Sequence, residues 1–494
     1  MDHRSEPHRR RGVVILVSRT RPNILLISSD QHNPHMTGYA GHPLARTPAL
    51  DGLAERGTVY RSAYCSSPIC VPSRASLATG RYVHEIGAWD NAAPYAGTPR
   101  SWGHELSDAG YRVVTIGKLH HLAGSDDGFS DQRLPMHVHG LGDLRGVSMR
   151  PHGGPLPTGQ GLRNLLNAGV GDSDYTRYDR EVADQAVAFL RETNEPPWAL
   201  MVSFVSPHFP LIAPQPYHDL YRDVRIPPPP DGGSAWSHPA VEVFRQAFGL
   251  SRSLTGEETQ AALRAYLGLC SYLDAQVGRV LEALDASGQA QDTLVVYTSD
   301  HGESAGEHGL WFKHLMNEAS VGVPLVIAGS DVPSGHEVAA PVSQVDLFAT
   351  LMAWTGVTPI DDRPRPGISL LDPDSLPTDR AVLAEYHANG SLAASFMLRH
   401  GSLKYIEYVG ERPQLFDLKA DPGEFVDLAP RAEHADALAT CAAQLREFCD
   451  PAEVDAAAKS DQARRVERVG GIEAAARHTV AYTPVPSVPD GGNA

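Results

Sequence analysis

Cys70 opens the stretch Cys70-Val71-Pro72-Ser73-Arg74-Ala75-Ser76-Leu77-Ala78-Thr79-Gly80-Arg81. Proline suits the first turn of a helix and the residues after it are good helix formers, so the spacing predicts a helix with residue 70 at its N-terminus. Free N–H groups and the macrodipole favour negative charge there, a setting that suits an anionic nucleophile or an oxyanion. Four other segments bring groups able to do acid–base or metal chemistry. Asp30 follows the apolar run 24–27, Lys118 and His120 follow 113–116, His208 follows 200–205, and Asp300 with His301 follows 294–297. Each alone has an ordinary explanation, such as a strand-terminating aspartate or a surface lysine. Arriving together at the ends of four apolar runs, they read as one site. Asp30 and Asp300 on separate strand ends of one site repel each other, and a cation between them relieves that repulsion.

The elements that must position these groups follow from the hydropathy pattern. Unbroken apolar runs, rather than alternating ones, are expected of strands buried on both faces of a mostly parallel sheet. Between them lie helical patterns, the clearest over 257–286, where Leu263, Tyr266, Leu267, Cys270, Leu273, Val277, Leu281 and Leu284 share one face. Thr255 with Glu258 makes a capping box before it, and Gly288 a stop. Strands alternating with helices predict a layered α/β domain, with ligands beyond the carboxyl ends of the strands.

The expected organisation is a flexible extension over 1–20, a catalytic α/β domain over 21–370, a small α+β subdomain over 371–457 and a tail over 458–494. The second unit is read from the shorter alternating segments 394–399 and 404–408 and a helix-like stretch over 433–449. The tail holds an amphipathic piece and a Pro/Gly-rich end, 484–492, expected to stay mobile.

The chain has 494 residues, 42% hydrophobic and 20% charged, as expected of a folded protein with one large domain and a smaller one. Its formal charge of -17 repels phosphate backbones, which sets nucleic acid aside as a partner. The five cysteines, Cys65, Cys70, Cys270, Cys441 and Cys449, have neither even number nor metal-finger spacing, so a reducing compartment fits. The apolar stretch 13–17 is too short for a signal-peptide core, and no run of about 18–20 apolar residues predicts a membrane span. The cytoplasm is the expected location.

The segment beginning at Cys70 resembles the C-x-P-S-R…Leu…Thr-Gly signature of type I sulfatases, in which the cysteine is oxidised to formylglycine. Further segments carry the same resemblance. Residues 21–30 and 47–54 are similar to the family's opening strand and first helix, Gly117-Lys118-Leu119-His120 to its G-K-x-H element, and Ser206-Pro207-His208-Phe209-Pro210 to its P-H-x-P element. Ser299-Asp300-His301-Gly302-Glu303, with Leu310-Trp311-Phe312-Lys313 after it, resembles the segment holding further metal ligands and a substrate-contacting lysine. Gln414-Leu415-Phe416-Asp417-Leu418 with Asp421-Pro422-Gly423-Glu424 resembles the C-terminal subdomain. The resemblance spans about residues 21 to 430 and implies an alkaline-phosphatase-like fold.

It also implies a mechanism. Hydrated formylglycine at position 70 is the nucleophile toward sulfur, and one divalent cation is held by Asp30, Gln31, Asp300, His301 and residue 70 itself. Arg74 and Lys118 stabilise the developing charge, while Lys313 and Asn91 grip the sulfate oxygens. His208 protonates the leaving alcohol, and His120 removes the proton of the second hydroxyl. The implied partners are a small-molecule sulfate ester and a formylglycine-generating maturation enzyme. No membrane partner is expected, and a homo-oligomer is left open.

Two positions depart from the commonest family pattern, which pairs two aspartates at the first metal strand and Asp-Asn at the second. Here Asp30-Gln31 and Asp300-His301 stand in their place, a less negative and softer ligand set. Ca2+ remains the expected ion, with Mn2+ and Zn2+ as alternatives. The combination resembles a subgroup of choline sulfatases and phosphonate monoester hydrolases. In the latter the G-K-x-H element carries uncharged hydroxyl residues, so Lys118 and His120 favour a sulfatase, and phosphonate monoester or phosphodiester hydrolysis is the alternative. A non-catalytic scaffold with unmodified Cys70 is a third reading. His137 and His139 are read as surface-loop residues, His32 and His35 as either pocket or loop, and Glu385 and His387 as candidate substrate-reading groups near the domain junction.

Overall fold

The computed structural model describes residues 21–144, 150, 160–192, 195, 197–361, 363–477 and 483–486. The extension over 1–20 and most of the 484–492 end lie outside these residues, as do 145–149 and 151–159.

The apolar runs form the centre of an eight-stranded sheet. Its strands in chain order are β1 (Asn23–Asp30), β2 (Thr58–Tyr60), β3 (Arg112–Leu122), β4 (Asp131–Val138), β5 (Trp198–Pro207), β6 (Thr293–Ser299), β7 (Leu325–Ala328) and β8 (His336–Val338). Their spatial order is β8-β2-β7-β6-β1-β5-β3-β4. Only β7 runs antiparallel to its neighbours. Alternate residues of β1 enter different cores: Ile24 and Leu26 join one, Leu25 and Ile27 the other. Both faces are therefore covered, which is why the strand carries no polar alternation. Each such side chain contributes roughly 1.5–3 kcal/mol by leaving water.

Helices cover the two faces. Those used below are α1 (Pro48–Glu55), α2 (Cys70–Thr79), α3 (Asp174–Arg191), α4 (Gly256–Ala286), α5 (Val345–Thr355), α6 (Ala435–Phe448) and α7 (Pro451–Arg468). The start of α4 is the expected capping box: Glu258 N–H donates to Thr255 Oγ1 at 3.2 Å, and Thr255 N–H to Glu258 Oε2 at 2.8 Å. Ala75 and Leu77 of α2 and Leu347 and Phe348 of α5 pack in one core, and Val182 of α3 and Leu273 and Val277 of α4 in the other.

The smaller C-terminal unit is an antiparallel meander, β9 (Ala381–Tyr386), β10 (Ser395–His400), β11 (Leu403–Tyr408) and β12 (Gln414–Asp417). Phe396 and Leu398 of β10 and Tyr405 of β11 pack against Cys441 and Leu445 of α6. Buried Lys404 joins this sheet to the larger unit through Glu318 Oε1 at 2.9 Å, and forms an ion pair with Glu424 Oε1 at 2.7 Å. Helix α7 continues without a break through residue 457. Among the described residues no helix is long and apolar enough to cross a membrane.

One local expectation is corrected. His137 does not lie in a surface loop; it belongs to β4, is buried, and its Nε2 is 2.7 Å from Gln132 Oε1. Pro135 suggested the loop, but β4 is the edge strand of the sheet, where a proline removes no ladder hydrogen bond that a neighbour needs.

Candidate active site

Strand register assembles the site. Parallel pairing sets Ser29 beside Ser299 and Asp30 beside Pro207, so the residues that follow, Asp300 and His208, leave the sheet at the same edge as Asp30. On the other side of β5, Gly117 pairs with Ser203 and delivers Lys118. Gly117 has φ 108°, and a Cβ there would stand 2.1 Å from the Ser203 carbonyl oxygen, so only glycine lets the two strands close up before the lysine.

Helix α2 brings Cys70 to this edge. No side chain caps it through Ile69, and Pro72 has no N–H. Instead the Val71 N–H donates to Asn91 Oδ1 at 3.2 Å, and the single Ser73 hydroxyl proton is shared between the Asp300 carbonyl and Gln344 Oε1, the latter at 2.8 Å. The thiol is thereby fixed with its Sγ 3.3 Å from His301 Nε2, 3.4 Å from Lys313 Nζ and 3.8 Å from Asp30 Oδ1.

One ligand atom from each of Asp30, Cys70, Asp300 and His301 lies within 4.8 Å of the others, and all four residues are buried. Among the described residues this is the one such group of His, Cys, Asp and Glu side chains. The donor set fits a divalent cation: two carboxylates, a sulfur or its oxygen replacement, and an imidazole. His301 Nδ1 donates to the Gly302 carbonyl at 3.0 Å, which fixes the tautomer and leaves Nε2 as the lone pair facing the cluster. Burial pushes its pKa down to about 4, so the ring is neutral and able to ligate.

Cations surround these carboxylates. Arg74 Nε donates to Asp300 Oδ2 at 2.8 Å and its Nη2 to Asp30 Oδ2 at 3.4 Å, while Nη1 bonds Ser203 Oγ and the Lys118 carbonyl. Lys118 Nζ forms an ion pair with Asp30 Oδ2. Burial opposes ionisation of Asp30, but Lys118, His208, Lys313 and Arg74 outweigh it and hold the carboxyl well below its ordinary range. Burial and the Asp30 charge push the Cys70 thiol up, against the pull of Lys313 and Lys118. An unmodified thiol here is a poor nucleophile, since the thiolate is the reactive form.

The remaining candidates fall at different places. Gln31 has its amide engaged twice: Oε1 accepts from Lys313 Nζ at 2.7 Å and Nε2 donates to Glu303. Both ring nitrogens of His120 are buried without a protein partner among the described residues, and burial with the Lys118 and Arg74 charges holds the ring neutral. His208 is less enclosed. Its Nδ1 donates to the Phe209 carbonyl at 2.6 Å and its ring meets Tyr175 edge-on at 6.0 Å, while burial and Lys313 lower its pKa well below the ordinary value.

Three other groups do not join the cluster. His32 is a buried core residue, its Nδ1 2.7 Å from the Tyr297 hydroxyl. His35 is exposed. Glu385 and His387 bond each other at 2.9 Å, and Glu385 also accepts from His84 Nδ1 at 2.9 Å, so both acid oxygens are engaged within the protein.

Two participants had no role assigned from the sequence. Glu303 accepts from Gln31, from the Ala305 N–H at 2.9 Å and from the Phe312 N–H at 2.5 Å, tying the Asp300 loop to the Lys313 segment. Its signal was its place three residues after Asp300. Ser203, which receives Arg74, lies within β5 and carried none.

Comparison with known proteins agrees with this geometry. The family model described as Sulfatase matches residues 22–357, and that described as N-sulphoglucosamine sulphohydrolase, C-terminal, matches 306–450. Residues 451–477 lie beyond both. The choline-sulfatase of Rhizobium meliloti (strain 1021) is 33% identical over 464 residues, covering 90% of each chain. Arylsulfatase K of Danio rerio is 30% identical over 452 residues, covering 83% of this chain and 81% of its own. The crystal structure of the phosphonate monoester hydrolase of Agrobacterium radiobacter superposes with a TM-score of 0.69 at 24% identity, covering 87% of this chain and 95% of its own, a likeness of fold.

Proposed function

The chain belongs to the sulfatase family and is a sulfatase-type hydrolase; from that premise we propose that it cleaves a small sulfate monoester, with formylglycine made from Cys70 as nucleophile. The observation that carries this reading is the meeting of Cys70 with Asp30, Asp300 and His301 inside a ring of Arg74, Lys118 and Lys313. Hydrated formylglycine would supply a hydroxyl, and a cation held by Asp30, Asp300, His301 and residue 70, with the Gln31 amide oxygen as a fifth ligand, would lower that hydroxyl's pKa.

The chain's own residues divide the rest of the work. Lys118 and Arg74 offset negative charge beside residue 70, where water is excluded and each charge acts strongly. Lys313 Nζ and the Asn91 amide bind sulfate oxygens. His208 gives a proton from Nε2 to the leaving oxygen; the bound sulfate anion offsets the field of Lys313 and raises the histidine's pKa toward the working range. His120, neutral and with free ring nitrogens, accepts the proton at residue 70.

Ca2+ is the expected ion, and the imidazole of His301 makes Mn2+ and Zn2+ its competitors. The maturation enzyme is the one protein partner this reading requires. The cytoplasm fits the five free cysteines. The relatives' names join sulfate to different alcohols, so the ester class carries over and the alcohol does not. Lys118 and His120 favour sulfate over phosphonate. The test is a panel of chromogenic aryl sulfate, phosphonate monoester and phosphodiester substrates at equal leaving-group pKa. The highest kcat/KM is expected on the sulfate; a preference for the phosphonate would replace this function with the alternative.

A further inference from the structure

Helix α7 docks where the nucleophile helix begins. Trp89 Nε1 donates to Asp461 Oδ2 at 2.6 Å, Gln462 Nε2 to Asp90 Oδ2 at 2.9 Å, and Arg465 Nη1 to Asp90 Oδ1 at 2.7 Å. Asp90 is fully buried, and its carboxylate also accepts the Ala92 N–H at 2.8 Å, while its carbonyl accepts the Ala93 N–H at 2.9 Å. These bonds close a turn at whose corner stands half-buried Asn91. Asn91 Oδ1 takes the Val71 N–H of α2, which leaves its Nδ2 with no bond among the described residues. The same helix reaches two further segments: Gln462 Nε2 also bonds the His387 carbonyl at 2.7 Å, and Asp455 forms an ion pair with buried Arg150.

We propose that Gln462 and Arg465 are positioning residues for the active site, acting through Asp90 to hold Asn91 against the N-terminus of α2 with its Nδ2 free for a sulfate oxygen. The proposal rests on Asn91 being a sulfate ligand. A side-chain amide binds an oxyanion well only when its rotamer is fixed beforehand, and the Asp90 turn fixes it. A buried carboxylate left without donors is destabilising, and α7 supplies two of the three that Asp90 has. An amphipathic C-terminal helix thus becomes part of the substrate site rather than a cover over it.

The test is a double-mutant cycle in the full-length, aldehyde-bearing enzyme, read as kcat and KM on an aryl sulfate. Arg465→Leu, Gln462→Met and Asn91→Ala are made singly, and each α7 variant is combined with Asn91→Ala. Each α7 variant is expected to lower kcat/KM about 10- to 100-fold, as loss of a supporting partner does. Arg465→Lys should recover much of that loss. In the Asn91→Ala background the α7 variants should cost less than about twofold more, because their effect passes through Asn91. Gln462→Met leaves Asp90 its arginine and serves if Arg465→Leu fails to fold. Multiplicative losses in the double variants would reduce α7 to a structural role. Active α7 variants beside a crippled Asn91→Ala would overturn the positioning alone, and an Asn91→Ala enzyme with normal kcat/KM would overturn the Asn91 reading and the proposal with it.

Discussion

His301 Nε2 lies 3.3 Å from Cys70 Sγ, across 231 positions of sequence. The imidazole lone pair and the nucleophile position face one point, which Asp30 and Asp300 also face. Binding of a divalent cation at that point should raise stability by about 2.7 kcal/mol when the free ion is at a hundred times its Kd. Asp300→Ala should abolish both the turnover and the metal-dependent rise in Tm. A Tm shift of wild-type size in Asp300→Ala, under titration with Ca2+ or Mn2+, would move the metal elsewhere.

Cys70 is buried inside a formed helix, with its neighbouring N–H taken by Asn91. A maturation enzyme that must bind this segment as an extended peptide needs it before α2 packs. Co-production should give aldehyde at residue 70, and the same enzyme added to the folded cysteine form should give almost none. Peptide mass spectrometry reads the replacement of CH2SH by CHO. Equal conversion of the folded protein would show that the segment opens readily.

Asp179 of α3 accepts the Val205 N–H at 2.7 Å and the Ser206 N–H at 2.8 Å, anchoring the chain just before His208. Burial raises its pKa from 3.8 to about 6 despite these bonds. A folded-state pKa above the unfolded one means that the native state binds the proton more tightly. The stabilisation is full below pH 4 and lost as pH rises through about 6, by about 3 kcal/mol in all. Asp179→Asn removes that slope. Denaturant titrations of both proteins at intervals from pH 4 to 7 should show the wild type losing ground to the variant by about this amount; a constant difference would place the Asp179 pKa near its ordinary value.

The strands, the capping box of α4 and the meeting of Asp30, Lys118, His208 and Asp300 were legible because parallel strands send their C-terminal ends to one edge. What stayed hidden depends on long-range register or on irregular backbone. Glu303 meets Gln31 only because the loops after β1 and β6 face each other. His120 sits at φ 59°, a conformation that no local pattern announces for a histidine. Helix α7 is polar enough to pass for a solvated tail, and its buried contacts to Asp90 and Arg150 depend on partners more than 300 positions away.

On the function proposed above, Lys118 and His120 are the residues that favour sulfate over phosphonate. Replacing them with Tyr and Thr removes the cation on Asp30 and the buried imidazole of His120, whose ring nitrogens have no partner among the described residues. The sulfatase kcat/KM should fall by roughly 10² to 10⁴, the range expected for a lost acid–base partner. Phosphonate or phosphodiester hydrolysis should fall less. Equal losses on both substrates, measured in one set of initial rates, would separate these residues from the choice of substrate.

The central claim is that turnover belongs to the aldehyde form of residue 70. Preparations made with graded amounts of maturation enzyme can be assayed for aldehyde content by peptide mass spectrometry and for kcat on one aryl sulfate. The kcat per chain is expected to rise in proportion to the aldehyde fraction and to extrapolate to zero for the cysteine form. A fully active preparation containing only cysteine at position 70 would contradict it.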